Sequence, residues 1–150
     1  MKPLYTARAT VTGGRDEGHG RTSDGALEVD LRMPAEMGGP GGGTNPEQLF
    51  AVGYASCFES ALKLVARRER VAADDVSVES EVTLSPTPER TFVIGVSLDV
   101  TLPSVDDGDE AARLVELAHH VCPYSNATRG NIDVALTANG RPIGAVGTPG

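Results

Sequence analysis

Residues 44–66 read TNPEQLFAVGYASCFESALKLVA, and the other elements of the chain lie on either side of this stretch. Its apolar residues recur every three or four positions, which is the period of a helix with one buried face. Asn45 is a residue type that caps helices, Pro46 suits the first helical position, and Glu47 lies in the first turn. The threonine before Asn45 also fits a capping box with Glu47, which would start the helix one residue earlier. The stretch predicts one long helix that carries Cys57 on its apolar side.

The composition restricts the class of protein. A length of 150 residues suits a single domain with its own core. The formal net charge of -8 and the pI near 4.8 argue against a nucleic-acid partner or a membrane-surface partner. No apolar run approaches transmembrane length, and the first ten residues lack the apolar stretch of a signal peptide. We therefore expect a cytoplasmic protein, in which two cysteines are more often redox-active or metal-binding than joined as a permanent disulfide.

Alternating apolar and polar residues predict strands on both sides of the long helix. The predicted elements are strands at 4–12, 21–23 and 27–33, the helix at 44–66, strands at 76–84 and 92–102, a helix at 104–120 and a strand at 132–136. This order predicts an α+β fold with mainly antiparallel pairing, formed by one domain over residues 1–137. Residues 138–150 are rich in glycine and proline and are expected to form a frayed tail.

Cys122 is the only other cysteine, and it follows the second predicted helix. Taken alone, Cys57 is most simply a small buried core residue, as most free cysteines are. The separation of the two cysteines along the chain does not establish that they touch, because a disulfide needs Cα atoms within about 7 Å. The residues alone therefore leave open both a structural and a chemical role for the pair.

Four segments together closely resemble the organic hydroperoxide resistance (Ohr) proteins, within the wider OsmC-like group. They are NPEQLF and GYASC within residues 44–58, VCPYSNATRGNIDV at 121–134, TGGR at 12–15 and GGPGGGTNP at 38–46. The resemblance runs from about Leu4 to Leu136, which is nearly the whole chain, and the two cysteine motifs are its most specific part.

The resemblance to Ohr implies a fold in which mainly antiparallel sheets pack around the long central helix of an intertwined homodimer. It implies a peroxiredoxin-like oxidoreductase that protects against oxidative stress by reducing alkyl or fatty-acid hydroperoxides to alcohols. By the same resemblance, Cys57 attacks the peroxide and becomes a sulfenic acid, and Cys122 condenses with it to an intramolecular disulfide. No bound cofactor is implied; the implied external reductant is a lipoyl dithiol carried by a lipoylated protein.

Cys57 would need a nearby positive charge to react. The thiolate attacks peroxides, whereas an ordinary cysteine is mostly protonated at neutral pH and burial raises its pKa further. The resemblance implies that Arg15 of the TGGR motif contacts the reactive cysteine and that Glu47 holds the arginine. A carboxylate can fix the planar guanidinium in one orientation. On the residues alone, Arg15 would be a solvated loop charge and Glu47 a partner of the helix dipole.

Several apolar residues lie on or beside the Cys57 face of the predicted helix. These are Phe50, Tyr54, Phe58 and Leu62. They would suit an apolar pocket for a bulky hydroperoxide. The alternative is that they only fill the core, which is equally consistent with each residue taken singly.

The spacing of Glu47 and Cys57 favours a homodimer with shared active sites. Ten helical residues rise roughly 15 Å, and the two side chains point to different faces. An arginine that binds both residues is therefore most simply placed if Arg15 and Glu47 come from one chain and both cysteines from the other. A kink at Gly53 is the alternative that would defeat this geometry.

Other functions and two departures from the family pattern remain open. A metal site at His119, His120 and Cys122 lacks a clustered fourth ligand, so cationic histidines near a helix end are favoured. The functional alternatives are an OsmC-type peroxidase with broader activity on hydrogen peroxide and a non-catalytic small-molecule binding module on the same scaffold. The departures are the charged segment Asp16–Arg21 and Glu59, an acid that would oppose thiolate formation if it faced inward.

Overall fold

The computed structural model describes residues 1–144. These residues divide into two compact units, Met1–Leu49 and the part from Phe50 onward. The strands are β1 (Ala9–Thr12), β2 (Glu17–Thr22), β3 (Glu28–Arg32), β4 (Ser77–Pro86), β5 (Phe92–Thr101), β6 (Val134–Ala138) and β7 (Arg141–Pro142). The α-helices are α1 (Pro46–Glu69), α2 (Gly108–Val121) and α3 (Pro123–Thr128), and a 3-10 turn covers Ala35–Met37. The α+β class predicted from the sequence is confirmed.

The first unit contains an antiparallel sheet of β1, β2 and β3 in that order. A turn at Asp24-Gly25 joins β2 to β3, and Gly25 has the positive φ of 72° that favours glycine. The first strand is shorter than predicted, since it starts at Ala9. The second is longer, because most of the charged segment Asp16–Arg21 belongs to β2 and pairs with both neighbouring strands.

The glycine-rich segment Gly38–Gly43 returns the chain to the side of β3. The Thr44 backbone N–H donates to the Asp30 carbonyl at 2.9 Å, and the Arg32 N–H donates to the Thr44 carbonyl at 3.0 Å. A Cβ on Gly43 would lie 2.7 Å from the same Asp30 oxygen, so the close approach needs a glycine. The segment connects β3 to α1 and sets where α1 begins.

α1 begins at Pro46, and Asn45 is its N-cap. The Gln48 backbone N–H donates to the Asn45 side-chain oxygen at 2.8 Å. The Thr44 hydroxyl donates to the Gln48 side chain at 2.7 Å, so the alternative start with a capping box is wrong. Glu47 is thereby left free for another partner.

The expectation that no run approaches transmembrane length is wrong for α1. The helix is long and apolar enough to cross a membrane by length and composition. This is weak evidence for a membrane span, because the core helix of a soluble protein passes the same test. Charges within the run are few, and two of them, Glu59 and Lys63, pair at 2.9 Å one turn apart.

The second unit contains a sheet with the strand order β4, β5, β6, β7. β4 and β5, each of ten residues, form an antiparallel hairpin, and β7 is antiparallel to β6. β6 runs parallel to β5, with Val134 opposite Val96, because α2 and α3 carry the chain back across before β6 starts. The unit's core joins this sheet to α1 and α2. Its fully buried side chains include Tyr54, Phe58, Leu62, Leu98, Val100, Leu114, Val115 and Cys122.

The helix after β5 differs from the prediction at both ends. It begins at Gly108 instead of residue 104, because Asp107 caps it by accepting hydrogen bonds from the Asp109 and Glu110 backbone N–H groups at 2.9 and 3.2 Å. It ends at Val121, and the short helix α3 follows, which the sequence analysis did not predict.

The expected tail over residues 138–150 is ordered at its start. Ala138 ends β6, and Asn139 and Gly140, with positive φ values of 49° and 79°, turn the chain back into β7. The Asn139 side chain also accepts from the Leu102 N–H at 2.7 Å, which ties this turn to the end of β5. An Asn-Gly pair is a strong turn signal that composition alone conceals. Residues 145–150 of the predicted tail lie outside the described residues.

Candidate active site

Cys57 and Cys122 are in contact within the second unit. Cys57 lies on α1 and is half-buried, and Cys122 is fully buried where α2 meets α3. Both are free thiols, and Cys122 lies close enough to Cys57 to affect the pKa of its thiol. The Cys122 backbone N–H donates to the Ala118 carbonyl at 2.8 Å, and Pro123 then starts α3. The end of α2 therefore fixes Cys122 against the middle of α1.

The surroundings of Cys57 within the second unit favour the protonated thiol. Burial raises the pKa of the Cys57 thiol, and the nearby Cys122 thiol raises it further. The Tyr124 backbone N–H acts in the opposite direction, since it stabilises the thiolate. Because the thiolate is the nucleophilic form of a cysteine, a cation close to this sulfur would favour its reactivity at neutral pH.

Arg15 and Glu47 form a two-pronged ion pair within the first unit. Gly13 and Gly14 have positive φ values of 79° and 61°, so the chain turns sharply after β1 and carries Arg15 in that turn. The guanidinium donates to the two Glu47 carboxylate oxygens at 2.9 and 3.2 Å. This hydrogen bonding is the main cause of a lowered pKa for Glu47 and a raised pKa for Arg15. Both groups are therefore charged at neutral pH, and the plane of the guanidinium is fixed.

The Arg15–Glu47 pair is expected to stabilise the fold at neutral pH and to lose that contribution in acid. The pKa of folded Glu47 lies below its ordinary value of 4.5, so the contribution is complete above that value and disappears as the pH falls through the folded pKa. A double-mutant cycle of Arg15→Ala and Glu47→Ala, measured by denaturant unfolding, should give a coupling of about 1 kcal/mol or less at neutral pH, because the pair is partly exposed. A coupling energy that stays the same in strong acid, where Glu47 is protonated, would contradict the assignment of this energy to an ion pair.

A buried hydrogen-bond network links α1 to the corner between α2 and α3. The Tyr54 hydroxyl bonds to Ser125 Oγ at 2.8 Å and to Thr128 Oγ1 at 3.0 Å. Ser125 Oγ also bonds to His119 Nδ1 at 2.8 Å, and the Arg129 guanidinium donates to the His119 carbonyl. Burial raises the pKa of Tyr54, so its phenol stays protonated. Tyr54 was predicted to line a substrate pocket, and no role was predicted for its two hydrogen-bond partners, Ser125 and Thr128.

His119 is not the cationic residue that its place near a helix end suggested. Its side chain is fully buried, and burial, assisted by Arg129, lowers its pKa to about 4. The imidazole is therefore neutral at neutral pH, and among the described residues its Nε2 has no hydrogen-bond partner. Across residues 1–144, no group of three or more His, Cys, Asp or Glu side chains is arranged to hold a metal ion.

An open cavity of about 390 Å³ lies beside α3 in the second unit. Its lining is mainly apolar and consists of Phe50, Ile94, Tyr124, Ala127, Thr128, Asn131 and Ile132. Phe50 is the one predicted substrate residue among them. Phe58 and Leu62 are 0% exposed and belong to the core, which favours the core-filling alternative for both. Tyr54 is equally buried within the network.

Tyr124 connects this cavity with Cys57. Its ring lines the cavity and packs on Phe50 and Tyr54, with ring-centroid distances of 5.8 and 5.7 Å, while its backbone N–H stabilises the Cys57 thiolate. Gly53 lies beneath the ring, and a Cβ there would stand 2.9 Å from the Tyr124 hydroxyl oxygen. The glycine on the Cys57 face of α1 therefore allows Tyr124 to pack directly against the helix.

Comparison with known proteins identifies the family, since the OsmC-like protein family matches residues 39–137. The chain belongs to the OsmC/Ohr family. The organic hydroperoxide resistance protein of Xanthomonas axonopodis pv. citri is 54% identical over 138 residues, which cover 91% of this chain and 95% of that protein.

Two solved structures of the OsmC/Ohr family resemble the fold closely. The organic hydroperoxide resistance protein OsmC from Legionella pneumophila has a TM-score of 0.86 at 55% identity and is matched over 90% of this chain and 97% of its own. The organic hydroperoxide resistance protein OhrB of Bacillus subtilis has a TM-score of 0.81 at 46% identity, over 89% of this chain and 98% of its own. The resemblance found in the four sequence motifs is thereby confirmed for the family and for the fold.

The sequence contains a local signal for α3, the helix that was not predicted. The Cys122-Pro123 pair places a proline at the first position of a possible helix, which is where prolines are favoured. A helix starting there puts Tyr124 and Ser125 in its first turn. The proline at this position is thus the local signal for α3, which carries Tyr124 and Ser125.

Proposed function

We propose that this chain is a cysteine-based peroxidase that reduces organic hydroperoxides, such as alkyl or fatty-acid hydroperoxides, to alcohols and protects the cytoplasm against oxidative stress. The observation that carries the proposal is the contact between Cys57 and Cys122, the only cysteines of the chain. Similar proteins over most of the chain are named organic hydroperoxide resistance proteins, which supports the choice of substrate.

The proposed reaction uses both thiols in turn. The Cys57 thiolate attacks a peroxide oxygen, the O–O bond breaks, and the alkoxide takes up a proton and leaves as the alcohol. Cys57 is thereby oxidised to a sulfenic acid, and the Cys122 thiol attacks its sulfur to form the disulfide and release water. An external dithiol, for which we propose a lipoyl group on a lipoylated protein, reduces the disulfide by thiol exchange. The protein needs no bound cofactor for these steps.

Arg15 is proposed to stabilise the Cys57 thiolate and to orient the peroxide. Burial disfavours ionisation of Cys57, so the proposed reaction needs a fixed cation to stabilise the thiolate. A guanidinium has five N–H donors, and Glu47 occupies two of them in a fixed plane. The remaining donors are available for a thiolate and for peroxide oxygens, and we assign Glu47 the role of holding them in place.

We propose that the active sites are shared between the chains of a homodimer, with Arg15 and Glu47 from one chain and Cys57 and Cys122 from the other. Glu47 and Cys57 are ten residues apart on one helix, which corresponds to roughly 15 Å of rise. α1 is helical throughout Pro46–Glu69, which argues against the break at Gly53 that would shorten this separation. Sharing between subunits is the simplest arrangement in which one guanidinium binds both residues.

A bulky apolar hydroperoxide is expected to be a better substrate than hydrogen peroxide. Tyr124, which lies next to Cys57, lines the cavity together with Phe50, and this lining offers apolar contacts that hydrogen peroxide cannot use. With dihydrolipoamide as reductant, kcat/KM should be higher for cumene hydroperoxide, and Phe50→Ala should lower that value by about tenfold, because truncation removes buried apolar area. Phe92→Ala is the matched control, since this exposed ring lies outside the cavity lining.

The same assay separates the alternatives. Equal kcat/KM for cumene hydroperoxide and hydrogen peroxide would favour an OsmC-type peroxidase of broader range. Binding of cumene hydroperoxide without oxidation of either cysteine would favour a non-catalytic binding module on this scaffold. Either result would contradict the proposed preference.

A further inference from the structure

We propose that the hydrogen-bonded set of Tyr54, Ser125 and His119 is a positioning device for Cys57, which holds α3, and with it the Tyr124 backbone, against α1 beside Cys57. None of the three residues is assigned a part in the chemistry above. Their effect on peroxide turnover rests on the proposed function, whereas their effect on the Cys57 thiol does not.

The three residues bracket both cysteines. Tyr54 precedes Cys57 by one turn of α1, and His119 and Ser125 stand three residues before and three residues after Cys122. Ser125 Oγ is the junction, since it lies 2.8 Å from both the Tyr54 hydroxyl and His119 Nδ1. All three side chains are 0% exposed, so water cannot replace a hydrogen bond that is lost.

α3 depends on these contacts for its position. It has six residues, and a helix of this length is not stable through its own hydrogen bonds. Its N-cap, Cys122, contributes no side-chain hydrogen bond to the helix. The contacts that fix its first turn are the Ser125 hydroxyl bonded to Tyr54 and the Tyr124 ring packed on Gly53. A loosened Ser125 would therefore move the neighbouring Tyr124 N–H relative to Cys57.

His119 anchors the far side of the junction without adding charge. The imidazole is neutral at neutral pH because burial lowers its pKa to about 4. Its carbonyl accepts from Arg129, so the last turn of α2 is held at both its backbone and its side chain. The network thus acts on Cys57 through the direction of one N–H group and not through the field of a nearby imidazolium.

The test is the Tyr54→Phe variant, in a Cys122→Ser background that leaves Cys57 as the only thiol. The variant removes the hydroxyl that bonds Ser125. It keeps the aromatic ring and its packing, so the protein should fold. We expect thiolate absorbance to titrate at higher pH and iodoacetamide alkylation at neutral pH to slow by roughly two- to tenfold, the factor that one hydrogen bond is worth. Tyr5→Phe in the same background is the matched control and should match its parent, because Tyr5 is exposed and outside the network.

Ser125→Ala supplies a second variant that cuts the junction itself. It should shift the Cys57 titration in the same direction, and the double variant with Tyr54→Phe should shift it by less than the sum of the two single shifts, because both variants remove the Tyr54–Ser125 hydrogen bond. An unchanged Cys57 titration in either single variant, with or without a loss of thermal stability, would overturn the positioning role. A shifted titration in a protein whose wild type reduces no peroxide would keep the positioning role and reject the proposed function.

Discussion

Replacing Cys57 with serine is expected to abolish peroxide turnover while the fold is retained. Serine is close to cysteine in size, so the half-buried position on α1 can accept it, but a hydroxyl without an activating base is a poor nucleophile. Turnover would be followed by consumption of cumene hydroperoxide with dihydrolipoamide as reductant, and the fold by circular dichroism. Normal turnover by a folded Cys57→Ser protein would remove Cys57 from the chemistry.

The paired variant, Cys122→Ser, is expected to fail at a later step. Cys57 can still attack the peroxide, so the protein should consume about one equivalent and stop with an oxidised Cys57, because no second thiol can form the disulfide. Each variant removes one thiol of the same contact, so the difference between them shows which cysteine attacks the peroxide and which forms the disulfide afterwards. Sustained turnover by Cys122→Ser with dihydrolipoamide would show that the disulfide is not required.

Replacing Arg15 with alanine is the second change expected to have a large effect. If Arg15 supplies the cation that the buried Cys57 lacks, its loss should move thiolate formation to higher pH and slow oxidation at neutral pH by roughly tenfold or more. Arg15→Lys should recover little of the rate, because an ammonium cannot bond Glu47 with two prongs and donate to the peroxide in one plane. The measurement is the rate of Cys57 oxidation as a function of pH.

Arg21→Ala is the matched control for Arg15. Arg21 lies on β2, which follows the turn that carries Arg15, and it is an exposed arginine that pairs with Glu28 at 3.8 Å. The control should leave the pH profile of oxidation unchanged. A wild-type profile in Arg15→Ala as well would mean that Arg15 takes no part in activating Cys57.

The sharing of sites between subunits can be tested with the same inactive variants. Arg15→Ala and Cys57→Ser proteins would be mixed under conditions of verified subunit exchange. A mixed dimer has one site made from the intact Arg15 of one chain and the intact Cys57 of the other, so activity should return. Verified exchange without recovered activity would mean that each chain builds its site alone.

Most of the secondary structure was predictable because its signals are local. The cap at Asn45, the proline at Pro46 and the apolar period predict α1 within a few residues of its observed ends. The errors arose where one residue overrode a pattern. Asp107 delays the start of α2, and the Asn139-Gly140 turn adds β7 to a stretch whose composition resembled a tail.

The candidate site was predictable as a set of residues but not as an arrangement. The contact of Cys57 with Cys122 depends on how the end of α2 meets α1, and no spacing in the sequence encodes that distance. The burial of His119 also depends on tertiary packing. From the sequence alone, a histidine near a helix end is expected to be cationic, whereas its buried surroundings keep it neutral. The pairing of Cys57 with Cys122 was expected only from the resemblance to the Ohr proteins.

The central claim is that Cys57 and Cys122 form a redox pair that one hydroperoxide molecule oxidises. The most direct measurement is the intact mass of the reduced wild-type protein after addition of one equivalent of cumene hydroperoxide without reductant, together with the count of free thiols. The account predicts that the mass falls by two hydrogen atoms and that both thiols disappear, as an intramolecular disulfide requires. An unchanged mass with two free thiols would contradict it.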